Sequence, residues 1–223
     1  MIKFKKRGLL IVVSGPSGAG KDSVCNLLKE KNNNMWISIS CTSREIRKGE
    51  EDGINYFYLT REEFENKIKN NDFLEYAIYN NNYYGTPLYK IEENLNKGID
   101  VVLVIEVQGA LKVKKIYPDA IFIFILPPSM EELKNRLIKR GTESTEKILE
   151  RFKTAYKEIN EISKYNYVIV NNILDEAVLK MQSIIVAERC RVDRIEETDL
   201  SNTEELLHEK LIDKFSKKWL LCI

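Results

Sequence analysis

Four short runs, residues 9–13, 101–105, 121–126 and 167–170, are apolar and rich in β-branched residues. Their brevity predicts strands. The lack of polar alternation predicts strands covered on both faces, as in a parallel sheet between helical layers. A weaker fifth candidate is Trp36-Ile37-Ser38-Ile39-Ser40. Helix-like segments lie between the runs, at residues 21–31, 88–97, 108–116, 130–139, 145–164 and 174–191. Pro127-Pro128-Ser129 followed by Glu131-Glu132 supplies a cap and an acidic first turn for one of them. Strand–helix alternation of this kind predicts a doubly wound α/β fold, with a parallel sheet flanked by helices.

Residues 43–87 break the pattern. They hold the tyrosine-rich runs Tyr56-Phe57-Tyr58, residues 73–79 and Tyr83-Tyr84 around one helical piece at residues 62–69. This predicts a small inserted α+β subdomain of short antiparallel strands, at about residues 41–87, within a core of residues 1–40 and 88–190. The polar stretch around residues 140–145 suggests a mobile lid, taken here as about 136–151. Residues 191–223 alternate acidic and apolar positions and suggest an extra helical extension.

Composition narrows the chemistry. Of 223 residues, 43% are hydrophobic and 31% charged, enough for one sizeable core and an ordinary soluble surface. Lys plus Arg is 35 against 34 for Asp plus Glu, which argues against a general nucleic-acid binder. The one histidine, His208, excludes histidine-built zinc sites. Cys25, Cys41, Cys190 and Cys222 lie far apart with no C-x-x-C pair, as expected of reduced cytosolic thiols. The basic start before residues 9–13 imitates a signal peptide, but the apolar run is too short and Ser14-Gly15-Pro16 ends it. No stretch approaches the roughly 20 apolar residues of a membrane span. The expectation is a cytoplasmic protein with no membrane partner.

Gly15-Pro16-Ser17-Gly18-Ala19-Gly20-Lys21 follows the first strand and opens a helix, in the G-x-x-x-x-G-K pattern of a nucleotide phosphate loop. Glycines let backbone N–H groups wrap a polyphosphate. The helix N-terminus adds partial positive charge, and the lysine reaches the outer phosphates. A ligand-free glycine turn is the bland alternative. Asp22 stands where the pattern wants Ser or Thr for magnesium; an outward or capping role suits it, and Ser23 offers a hydroxyl one position on.

From that loop onward the sequence resembles the guanylate kinase family. The resemblance spans roughly residues 8–190. It rests on the phosphate loop, Ser38-Ile39-Ser40-Cys41-Thr42-Ser43-Arg44 with Arg47 and Gly49-Glu50, Gly53-Ile54-Asn55-Tyr56-Phe57 and Phe73-Leu74-Glu75-Tyr76. It continues in Asn82-Tyr83-Tyr84-Gly85-Thr86, Ile105-Glu106-Val107-Gln108-Gly109-Ala110, Pro127-Pro128-Ser129 and Arg140-Gly141-Thr142.

The resemblance implies transfer of a phosphoryl group from ATP, with Mg²⁺, to GMP. It places the phosphate loop through Asp22 and Ser23 at ATP, with Asn171 beside the adenine. Glu75, Ser40 and Thr86 correspond to the guanine pocket. Arg44, Arg47, Tyr56 and Tyr84 correspond to the grip on the GMP phosphate, and Lys21, Arg136, Arg140 and Arg151 to stabilisation of the transferring group.

Chemistry agrees with those roles. A carboxylate can accept both N1–H and N2–H₂ of guanine, whereas adenine offers an acceptor at N1. Forked guanidinium donors suit phosphate. Glu106 ends a buried strand, from which an acid reaches GMP or a magnesium-bound water. Val104 stands where the family often has a second acid, so the metal is expected to be held mostly by phosphate oxygens and water. Taken singly, Glu75 is an ordinary surface acid and the arginines are ordinary solvated residues. A catalytically silent protein-binding module and a different nucleoside monophosphate kinase remain the alternatives.

Overall fold

The computed structural model describes residues 3–4, 7–47, 49–79, 81–139 and 145–196. In chain order the elements are β1 (Lys3–Phe4), β2 (Leu10–Ser14), α1 (Lys21–Glu30), β3 (Met35–Ile37), β4 (Cys41–Thr42) and β5 (Phe57–Tyr58). There follow α2 (Arg61–Lys69), β6 (Phe73–Tyr79), β7 (Asn82–Pro87), α3 (Leu88–Asn96), β8 (Asp100–Val104) and α4 (Val107–Ile116). The chain continues through β9 (Ile121–Leu126), α5 (Met130–Lys139), α6 (Thr145–Ile159), β10 (Tyr167–Val170), α7 (Leu174–Arg189) and β11 (Ile195–Glu196).

Two compact units result, one of them Arg7–Ile185 and the other formed by the residues flanking it. The larger unit carries a parallel sheet in the order β10-β9-β2-β8-β3. Its inner strands β2, β8 and β9 are apolar at successive positions because both faces are covered, whereas the edge strand β10 departs from that expectation, burying Ile169 and leaving Val168 and Val170 exposed. Ile11, Val13, Ile123 and Ile169 pack with Val24 and Leu28 of α1 and Val178 and Met181 of α7. Leu10, Val12, Leu103 and Phe122 face the other way, onto Ile91 and Leu95 of α3 and Ala110 and Val113 of α4. Each fully buried Ile, Val or Leu contributes about 1.5–3 kcal/mol relative to exposure, whereas a surface ion pair gives about 0–1 kcal/mol. The sheet therefore fixes the scaffold.

All five strands point the same way, so the loops after β2, β3, β8 and β10 emerge at one carboxyl edge, where open α/β sheets bind ligands. Those loops carry Lys21, Ser40, Glu106 and Asn171. Ser14 ties two of them together: its buried Oγ donates to the Ile105 carbonyl at 2.8 Å.

The second sheet, β5-β4-β7-β6, occupies the expected insertion. Phe64 of α2 stacks on Phe73 at 4.4 Å and on Tyr83 at 5.1 Å between ring centres, which gives this small layer its own core. The strands are not all antiparallel as the sequence suggests: β4 and β5 run parallel. A loop and the turn around Gly53 separate them, so no tight hairpin forces reversal.

Two helices are shorter than their patterns imply. The first ends at Ile159, where Asn160 and Glu161 make a tighter turn (Glu161 N donates to the Glu158 carbonyl at 3.0 Å) before the 3₁₀ turn Ile162–Lys164. The last ends at Arg189 ahead of a second 3₁₀ turn, Val192–Arg194. In the smaller unit β1 pairs antiparallel with β11, and Glu188 accepts from Arg194 at 3.2 Å. The helical extension expected at residues 191–223 does not begin as an α-helix, since its described part is the 3₁₀ turn Val192–Arg194 and the strand β11; the remainder, and the centre of the lid, Arg140 included, lie outside the described residues. Among the described residues no helix is long and apolar enough to cross a membrane.

Candidate active site

The phosphate loop leaves β2 and enters α1 through glycines in left-handed conformations, with Gly20 at the helix N-cap (φ 89°). No other residue fits at Gly20. A Cβ there would lie 2.3 Å from Nδ2 of Asn171, whose amide donates to the Ala19 carbonyl at 2.9 Å. Asn171 is thus fastened onto the loop from the end of β10, with its side chain buried.

Lys21 arches back over the loop, Nζ donating to the carbonyls of Gly15 at 2.5 Å and Pro16 at 3.4 Å. Two arginines close around it. Arg136 of α5 donates to the Asn171 carbonyl at 3.2 Å and pairs with Glu132 at 2.8 Å, while Arg151 of α6 donates to Ser17 Oγ at 2.7 Å. Ser129 Oγ caps α5 by accepting from Glu132 N at 3.0 Å, which sets the helix that carries Arg136. Three cationic side chains therefore converge on one loop. Asp22, in the first turn of α1, is exposed. Ser23 is exposed beside it. The Tyr56 hydroxyl is pushed up by burial first, then by Tyr84 and by the charge of Asp22.

A β-bulge builds the second half of the site. Register shifts between Phe73 and Glu75, which sets Leu74 into the core and leaves Glu75 opposite Thr86 on β7. Thr86 Oγ1 donates to Glu75 Oε1 at 2.8 Å, and both residues are buried. Gly109 on α4 completes the fit: a Cβ there would come within 2.7 Å of Glu75 Oε2. Burial pushes the Glu75 carboxyl up, the Thr86 bond and Lys112 pull it down, and Glu106 adds to the rise. Ser40 is half-buried after β3, its carbonyl accepting from Phe57 N at 2.9 Å. Tyr56 and Tyr84 sit edge to face at 6.0 Å, with the Arg44 guanidinium 5.5 Å above the Tyr56 ring. Arg47 is exposed next to them.

Sequence reasoning gave no role to two acids here. Glu50 holds Arg44. Glu158, seven residues after Arg151 on α6 and so two turns along the same face, hydrogen-bonds Glu106 near Lys21. The i, i+7 spacing was the available signal, but it needs to be known that Arg151 faces the loop. Burial and the Glu106 charge, partly opposed by Lys21, push the Glu158 carboxyl up to about 7. The sign follows from proton binding. The folded state holds this proton above the ordinary carboxylate range, so the stabilisation is full below about pH 4.5 and is lost as pH rises through about 7. Glu158→Gln keeps the hydrogen bond without the titration. The fall in thermal midpoint between about pH 5 and about pH 8 is therefore expected to be smaller in the variant than in the parent. Equal falls in the two proteins place the shared proton elsewhere.

Comparison with known proteins agrees with this geometry. The guanylate kinase family model matches residues 7–188. A guanylate kinase of Clostridium tetani is 60% identical over 208 residues, covering 93% of this chain and 100% of that one. One of Caldanaerobacter subterraneus is 55% identical over 204 residues, covering 92% and 99%. The crystal structure of guanylate kinase from Anaplasma phagocytophilum superposes with a TM-score of 0.73 at 35% identity, covering 93% of this chain and 97% of that one. Matched by the family model over residues 7–188 and by relatives over more than nine-tenths of its length, this chain belongs to the guanylate kinase family.

Proposed function

We propose that the chain transfers the γ-phosphoryl group of ATP to GMP, giving ADP and GDP. The observation that carries the acceptor assignment is the buried Glu75–Thr86 pair at 2.8 Å, in the same unit as the phosphate loop. Ionised Glu75 accepts N1–H and N2–H₂ of guanine, Thr86 orients the carboxylate, and Ser40 and Glu106 line the same pocket. Arg44, Arg47, Tyr56 and Tyr84 take the GMP phosphate, and one of its oxygens attacks the γ-phosphorus in line. The bond to the β-phosphate oxygen breaks, and the electrons leave with ADP. Lys21, Arg136 and Arg151 meet the charge on the transferring group, Arg140 belongs to the same set, and no protein base is needed. The loop residues Gly15 to Ser23, with Asn171 behind them, hold the ATP phosphates.

Magnesium is the expected companion of ATP. The oxygen donors at hand, Ser23 and Asp22 at the mouth of the loop, suit a hard cation, and among the described residues no group of three acidic, His or Cys side chains forms a cage. The metal would therefore arrive on the phosphates and neutralise part of their charge. The buried free thiols Cys25 and Cys41 fit a reducing compartment, and cytoplasm is the proposed location. Incubation with ATP, magnesium and GMP, followed by separation of the nucleotides, tests the reading: ADP and GDP should appear in equal amounts. ADP release without GDP refutes it.

A further inference from the structure

Arg44 does not stand alone in the acceptor site. Its Nη1 and Nη2 donate to Glu50 Oε2 and Oε1 at 3.0 and 2.9 Å, an end-on fork, and Nη1 also donates to the Glu45 carbonyl at 2.7 Å. Both side chains of the pair are largely buried, at 11% and 19% exposure. Occupying that end leaves the Nε–H and outer Nη2–H edge, two parallel donors at the spacing of two phosphate oxygens. The Tyr84 hydroxyl lies beside the guanidinium. Glu50 is itself anchored: its Oε2 also accepts from Arg47 N at 2.9 Å and from the Tyr58 hydroxyl at 2.8 Å. The Arg44 fork first, and after it the bonds from Arg47 N and Tyr58, hold its carboxyl down to about 2 against the opposing effect of burial, so it stays ionised at any working pH.

We propose that Glu50 is a positioning residue for the acceptor phosphate, gripping one end of Arg44 so that its second donor edge faces the phosphate, with Tyr58 bracing the grip. This rests on GMP being the acceptor. The proposal runs against simple charge counting. Glu50 neutralises Arg44, so by charge alone its removal should tighten binding of a phosphate dianion. Geometry gives the opposite sign. In Glu50→Gln the amide NH₂ opposes donors already aimed at it, and the fork loses its register.

The experiment measures dissociation constants for GMP and for guanosine without ATP, together with KM for ATP. Glu50→Gln is expected to weaken GMP about 10- to 100-fold while guanosine binding and the KM for ATP change less than about 2-fold. Tyr58→Phe leaves both charges in place and removes one brace, and is expected to weaken GMP about 3- to 10-fold with the same selectivity. GMP binding that is unchanged or tighter in either variant overturns the proposal. So does an equal loss of guanosine binding, which would make Glu50 a support for the fold alone. A parent protein that fails to bind GMP overturns the acceptor assignment itself, a result distinct from a parent that binds and variants that do not differ.

Discussion

Lys21→Ala is expected to lower kcat about 10²- to 10³-fold in a protein that still folds. The amine of the side chain donates to the Gly15 and Pro16 carbonyls of its own loop. That amine lies against the loop, where the outer phosphates of ATP are expected to lie. Phosphoryl transfer offers the protein little covalent work, so losing a fixed positive charge removes transition-state stabilisation directly. Arg136 and Arg151 stay in place and keep residual turnover above zero. Rates at saturating ATP–magnesium, read beside a thermal melt, check the expectation. A folded variant with near-parental kcat would remove the phosphate loop from the chemistry.

Glu75→Gln should lower kcat/KM for GMP about 10- to 150-fold, from about 1.5–3 kcal/mol for a lost hydrogen bond to a charged acceptor. The amide accepts one guanine donor, but its own NH₂ faces the other. The KM for ATP is expected to hold, since Glu75 stands on β6 and the ATP phosphates lie at the loop after β2. The pH dependence carries a second signature. Glu75 must be ionised to accept both donors, and its carboxyl is pushed up by burial, with the Thr86 bond holding it partly down. GMP use should therefore fall as pH drops through that raised value. Thr86→Val removes the restraint and should move the acid limb of kcat/KM to higher pH. An acid limb that stays put in Thr86→Val would show that another group controls it.

The fold was legible because both of its periods are written plainly. The strands of the parallel sheet are unbroken apolar runs, and β9 and β10 fall on the residues the pattern marked. The phosphate loop was equally readable, since its glycines and lysine occupy fixed offsets after a strand. What sequence could not supply was pairing. The parallel contact of β4 with β5 depends on how the loop between them folds back, and two-residue strands carry no pattern of their own. Glu50 and Glu158 were hidden for a related reason. Both are acids in charged stretches, and their importance comes from partners that the fold delivers: Arg44 six residues away round a turn, and Glu106 from the N-cap of α4. Glu75 was found through the resemblance rather than through its pattern, because the bulge that buries it breaks the strand's alternation.

The central claim is that this site reads guanine while it moves phosphate, and acceptor selectivity tests it most directly. Initial rates of ADP release would be measured with ATP–magnesium and, in turn, GMP, dGMP, AMP, CMP, UMP and dTMP. A pocket built to receive N1–H and N2–H₂ on a buried carboxylate rejects bases lacking those donors by at least about 10³-fold, because the carboxylate is left facing an acceptor. GMP is expected to lead, dGMP to follow closely because base and phosphate carry the recognition, and the remaining four to fall below GMP by that factor in kcat/KM. Turnover of AMP or dTMP equal to or above that of GMP would contradict the account.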